Sequence, residues 1–148
     1  MVAFGPTESA KAATVSGGWT APLDNMSGGL NNFLASGCNG SQSYITNRYH
    51  IGDDIMSPAG TAIKAVRDGT VKYAGSFGAG WGNVVFVLHT AKDGSQFVVE
   101  YGHIDISSGI SAGTTISTGQ KVGTVYNMTD SHLHLGVRPG TSYPSTNW

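Results

Sequence analysis

The sequence predicts an all-β domain built from antiparallel sheets, and three observations carry that prediction. Glycine makes up 22 of the 148 residues. No long stretch has the i, i+4 charge pairing of a surface helix. Short apolar runs recur between clusters of Gly, Asn, Asp and Ser, as in strands joined by tight turns. A chain of this length supports one hydrophobic core. The expected architecture is therefore one all-β domain.

Charge and cysteine content exclude several classes of partner. Charged residues are 11% of the chain, the formal net charge is -1, and Lys and Arg occur singly, which argues against nucleic acid or anionic membrane. No apolar run approaches the ~18 residues that span a bilayer, so no membrane insertion is expected. The start, Met1 to Pro6, lacks the basic and apolar regions of a secretory signal. Cys38 is the only cysteine, so no intrachain disulfide can form, and any metal must be held by His and carboxylate. The chain is expected to act as a monomer.

Taken in order, residues 1–18 are small and polar and read as a leader or linker, with the domain proper at 19–148. Residues 19–23 read as a short edge strand, because Pro22 cannot donate to a central ladder. Residues 25–47 carry too many Gly, Ser and Asn for a helix, except at 30–35, and form a long loop of the kind that is often functional. Residues 61–66 and 70–74 alternate on either side of Asp68-Gly69, which predicts a hairpin.

The glycine-rich stretch 78–83 leads into 84–88, an apolar run expected to be buried on both faces. Asp93-Gly94 turns it back into 96–103, so His103 ends a central hairpin. Residues 110–125 read as short β segments punctuated by Gly113, Gly119 and Gly123, and 132–137 as the last strand.

Four of the five histidines fall at strand positions in three patterns: His50-x-x-x-Asp54, Tyr101-Gly102-His103 and His132-Leu133-His134. Side chains at i and i+2 of a strand share a face about 6.5–7 Å apart, so His132 and His134 project together while Leu133 points to the core. His50 and Asp54 share a face by parity, but an ideal strand would hold their Cα atoms about 13 Å apart. Gly52 is expected to supply the bend that lets them converge. Zinc suits this donor set, since catalytic sites use three His or carboxylate ligands and leave one position for water. The surplus imidazoles suit hydrolysis, where a further His moves protons. Spacing leaves open which member of the His-x-His pair is a ligand.

Other residues take plainer readings. His89, beside the Asp93-Gly94 turn, reads as a hydrogen-bonded structural residue. Asp53 alternates away from Asp54, and Cys38 reads as a small loop residue. Trp81 reads as packing, with a groove wall as the alternative.

The series His50-x-Gly52-x-Asp54, Gly82-Asn83 before an apolar strand, Tyr101-Gly102-His103-Ile104, Gly113…Gly119-Gln120-x-Val122-Gly123 and His132-Leu133-His134 resembles the lysostaphin-like (LytM-type) zinc metallo-endopeptidases that cut peptidoglycan peptides. The resemblance covers residues 19–139 and implies a lysostaphin-like sandwich with one Zn2+. It implies His50, Asp54 and His134 as the zinc ligands and His103 and His132 as the catalytic pair. It also implies a tyrosine supporting the oxyanion, Tyr44 first and Tyr49 second. The implied partner is a peptidoglycan peptide, and the implied location is extracellular, periplasmic or phage-delivered. Activity is expected to fall below about pH 6, where imidazoles protonate.

Two rivals remain. A biotinyl or lipoyl carrier would share the repeated hairpins, but the Asp68-Gly69 tip has no lysine. A non-catalytic, metal-holding cell-wall-binding module would share the ligands without turnover.

Overall fold

The computed structural model describes residues 14–15, 18–26, 52–78 and 80–143. Cys38, Tyr44, Tyr49, His50 and nearly all of the 25–47 loop, including its 30–35 stretch, lie outside the described residues. Among the described residues there are eleven strands and no helix, as the composition predicts.

Numbered in chain order, they are β1 (Thr14–Val15), β2 (Trp19–Thr20), β3 (Asp53–Met56), β4 (Ala62–Lys64), β5 (Gly69–Ser76), β6 (Asn83–Thr90), β7 (Gln96–Gly102), β8 (Ile104–Ile106), β9 (Thr115–Ile116), β10 (Lys121–Val125) and β11 (His132–Pro139). A six-stranded sheet has the order β3-β11-β7-β6-β5-β9, a three-stranded sheet the order β4-β10-β8, and β1 pairs with β2. Every pairing is antiparallel.

Alternation along the strands builds the core. One face of the large sheet sends Ile55, Val85, Val87, Val99, Tyr101 and Leu133 onto Ile63, Ile104, Val122 and Val125 of the small sheet. Burying each such aliphatic side chain contributes about 1.5–3 kcal/mol. Inside this layer the Tyr101 hydroxyl accepts the Val66 N–H at 2.9 Å, and burial pushes its phenol well above the usual range. The other face of β6 and β7 carries Val84, Phe86 and Val98, which cluster with Phe77. The run from Val84 is thus buried on both faces, as expected.

The predicted hairpin about Asp68-Gly69 does not form. β4 pairs with β10 and β5 with β6 and β9, in different sheets. Residues 65–68 are a crossing between layers: Ala65 N–H donates to Gln120, Val66 N–H to Tyr101. The Asp68 carboxylate accepts from Thr118 N at 2.6 Å and from Thr118 Oγ1 at 2.8 Å. Ala65 and Val66 are both buried, so this segment cannot be an exposed turn. Those two hydrogen bonds hold the Asp68 carboxyl below its usual range.

β2 is shorter than expected, and its ladder reaches back across Gly18 (φ 80°) to Thr14 and Val15. Trp19 stacks on Phe97 at 5.0 Å with the Arg67 guanidinium 5.6 Å above it. Phe97 stacks in turn on His89 at 5.3 Å.

His89 is structural, as its context suggests. It is fully buried, and Nδ1–H donates to the Asp68 carbonyl at 2.9 Å. Burial is the main cause that holds its pKa down, with Arg67 adding to it and the Asp68 carbonyl and carboxylate opposing. The folded state therefore resists a proton that the unfolded chain accepts near pH 6.5. The stability this neutral imidazole contributes is present above pH 6.5 and is lost as pH falls. The urea midpoint is expected to drop between pH 7 and pH 5. In His89→Phe, which keeps the stack on Phe97, that drop should be smaller, and an unchanged slope would remove His89 as its source.

Candidate functional site

The site lies on the face of the six-stranded sheet turned away from the main core. Register places its parts: His134 on β11 stands opposite Asp54 on β3 and opposite Gly102 on β7. Ile55 and Leu133, one residue along from Asp54 and His134, point into the core, so period-2 alternation sends both polar side chains to the same outer face. Asp54, His132 and His134 are nevertheless buried, at 3%, 6% and 2% exposure.

His134 Nδ1–H donates to Asp54 Oδ1 at 2.9 Å, and His132 Nε2 lies 3.5 Å from the same oxygen. His132 Nδ1–H donates to the Asp130 carbonyl at 2.6 Å. The neutral His132 ring therefore keeps its lone pair on Nε2, the side facing Asp54.

His103 reaches this face by an exception to alternation. Gly102 lies on the site face, since a Cβ there would come within 3.1 Å of His134 Cβ, and Tyr101 lies in the core. Strict alternation would send His103 to the core beside Tyr101. Instead its φ is 55°, the left-handed region, which costs a non-glycine residue about 1–2 kcal/mol. The ring then lies 4.6 Å from the His132 ring and 6.4 Å from that of His134. Burial first, then the His132 and His134 imidazoles, push its pKa down to about 4.

Gly52 lies at a bend just before β3, as expected, and meets a second requirement that spacing does not reveal. A Cβ there would stand 2.5 Å from the Leu135 carbonyl and 2.7 Å from His134 Nε2. Glycine lets the chain pass against the imidazole. Asp53 is exposed, on the other side of the strand from Asp54.

Two further residues contribute to the site. Trp81 packs edge-on against His134 at 4.8 Å and lies parallel to His103 at 6.2 Å, so its packing partners are the site itself. Glu100, opposite Gly136, is 1% exposed, with Arg138 Nε 4.0 Å from Oε2. Burial pushes its carboxyl up, against the opposing pull of His134 and Arg138. The available signal was a lone Glu inside the apolar run 97–101.

Of the residues expected to act together, the structure brings Asp54, His103, His132 and His134 into one cluster, while His50 and Tyr44 lie outside the described residues. Among the described residues no three His, Cys, Asp or Glu side chains converge as a metal cage. The two described donors nevertheless fit a cation. An imidazole nitrogen and a carboxylate oxygen, both buried, stand 2.9 Å apart. Zinc bonds of 2.0–2.2 Å would set two ligands of a tetrahedron about 3.3–3.5 Å apart. A cation would replace the proton these atoms share.

Residues 48–145 match the sequence profile of peptidase family M23. The uncharacterized lipoprotein YgeR of Escherichia coli (strain K12) is 32% identical over 90 residues, 59% of this chain and 34% of that protein. The chain thus spans about a third of the length of that relative. Helicobacter pylori Csd3 is 33% identical with a TM-score of 0.52, covering 63% of this chain and 25% of Csd3. The catalytic domain of the antimicrobial peptidase lysostaphin from Staphylococcus simulans shares the fold at 24% identity, with a TM-score of 0.58 over 76% of this chain and 78% of that one.

Because the atom nearest a Cβ at Gly52 is main chain, Gly52→Ala must displace β3 or β11. The substitution is expected to cost about 1–3 kcal/mol in urea unfolding and to shift the His134 ring resonances. Wild-type stability with an unmoved His134 would show that the chain has room there.

Proposed function

The chain belongs to peptidase family M23, and from that premise we propose that it is a zinc-dependent endopeptidase hydrolysing peptide cross-links or bridges of bacterial peptidoglycan. The observation that supports this most is the buried Asp54–His134 pair with His132 Nε2 3.5 Å from its carboxylate: two ligand atoms with a base beside them.

His50, Asp54 and His134 would hold the zinc. When bound, zinc supplies Lewis acidity that polarises the scissile carbonyl and acidifies the attacking water.

The chain's own residues move the protons. His132, its Nδ1 occupied by Asp130, takes a proton from water on Nε2 as the water oxygen bonds to the carbonyl carbon. When the carbon–nitrogen bond breaks, the leaving amine takes that proton from His132, either directly or after its transfer to the adjacent His103. Tyr44, or Tyr49 in its place, donates a hydrogen bond to the oxyanion. Ligation and base action both need neutral imidazoles, so the rate falls below about pH 6. His103, held down to about 4, does not set that limit.

The substrate places the enzyme outside the cytoplasmic membrane, as a secreted, periplasmic or phage-delivered protein. Among the described residues no helix is long and apolar enough to cross a membrane. The choice between glycine bridges and direct D-amino-acid cross-links would be read by mass spectrometry of digested walls from species with different bridges.

The protein is expected to clear a cell-wall suspension. Chelation should abolish clearing, and added zinc should restore it. His132→Ala should lose about 10²–10⁴-fold in rate while zinc still binds with a stoichiometry near one. Zinc binding without clearing or peptide cleavage would instead identify a non-catalytic wall-binding module. Clearing that survives chelation would sink the metal's role.

A further inference from the structure

His103 is the one non-glycine residue with positive φ among the described residues, and it sits where alternation would have sent its side chain into the core. A left-handed histidine persists only where its surroundings over-determine it. Its main-chain carbonyl accepts the Tyr126 N–H at 2.9 Å, which fixes the peptide but leaves the ring free to rotate.

The ring is fixed by Trp81. The indole lies nearly parallel to the His103 imidazole, 8° between planes at 6.2 Å, and nearly perpendicular to His134, 85° at 4.8 Å. Trp81 therefore packs against both imidazoles.

Trp81 is held in its turn by the second apolar cluster. Its main-chain N–H donates to the Gly78 carbonyl at 3.3 Å, and the Phe77 N–H donates to that of Gly82 at 2.8 Å. Phe77 meets the Trp81 ring edge-on at 6.4 Å and packs on Phe86 of β6 at 5.2 Å. A short rigid path thus runs from the centre of the sheet to the histidine pair.

We propose that Trp81 is a positioning residue, which holds the left-handed His103 over the site in a single ring orientation. Its kinetic consequence rests on the proposed peptidase activity. Its structural consequence does not.

The test uses the whole chain with Trp81→Leu, which keeps apolar bulk against Phe77, and Trp81→Phe, which restores a ring face. Aromatic NOE and scalar-coupling spectra should show one His103 ring orientation in the wild type, an averaged ring in W81L, and recovery of one orientation in W81F. In the zinc-loaded protein, W81L should lose about ten- to a hundredfold in kcat with KM within about twofold and zinc stoichiometry unchanged, and W81F should recover most of the loss. A single wild-type His103 ring orientation in folded W81L would overturn the proposal. So would a raised KM with kcat intact, which would make Trp81 a substrate contact. If wild-type protein turns over no wall or peptide, the peptidase reading fails and the ring-orientation spectra alone decide the role of Trp81.

Discussion

The site depends on one register. Main-chain hydrogen bonds set β3, β11 and β7 side by side so that Asp54, His134 and Gly102 fall in a row. A slip of one residue on β11 would turn His132 and His134 into the core and Leu133 out of it. The same apolar residues that stabilise the fold, Ile55, Tyr101 and Leu133, therefore keep the polar ones on the outer face. Packing on one side of the sheet enforces chemistry on the other.

That arrangement carries a local cost. Three ionisable side chains are nearly excluded from water, which is unfavourable unless their polar atoms find partners. The pairs His134–Asp54 and His132–Asp130 offset part of it, and the left-handed His103 adds strain. Most of the stabilisation comes from the two apolar clusters on either face of β6 and β7. The strained His103 sits just past the end of β7, next to this well-packed centre.

Much of the fold was legible because it follows local rules. The β6–β7 hairpin follows from Asp93-Gly94 between apolar runs, and the shared face of His132 and His134 from period-2 alternation. The supposed β4–β5 hairpin failed because alternation names a strand's faces and not its partner. The burial of Ala65 and Val66 and the bonds from Thr118 to Asp68 are set fifty positions away. His103 reads as a strand-end histidine, yet its position depends on a backbone conformation that no spacing reveals. Trp81 was ambiguous for the same reason, since its site partners are His103, just past the end of β7, and His134 on β11. Glu100 was concealed by its apolar neighbours.

The pair Asp54–His134 also joins two strands. Among the described residues β3 is four residues long and stands at the edge of the large sheet, with β11 its sole ladder partner. A cation gripped by both side chains would rivet that margin to the sheet, in a chain whose single cysteine allows no covalent fastening. Occupancy of the site and integrity of the sheet's border are then one equilibrium. The ion would serve as mechanical reinforcement as well as chemical reagent.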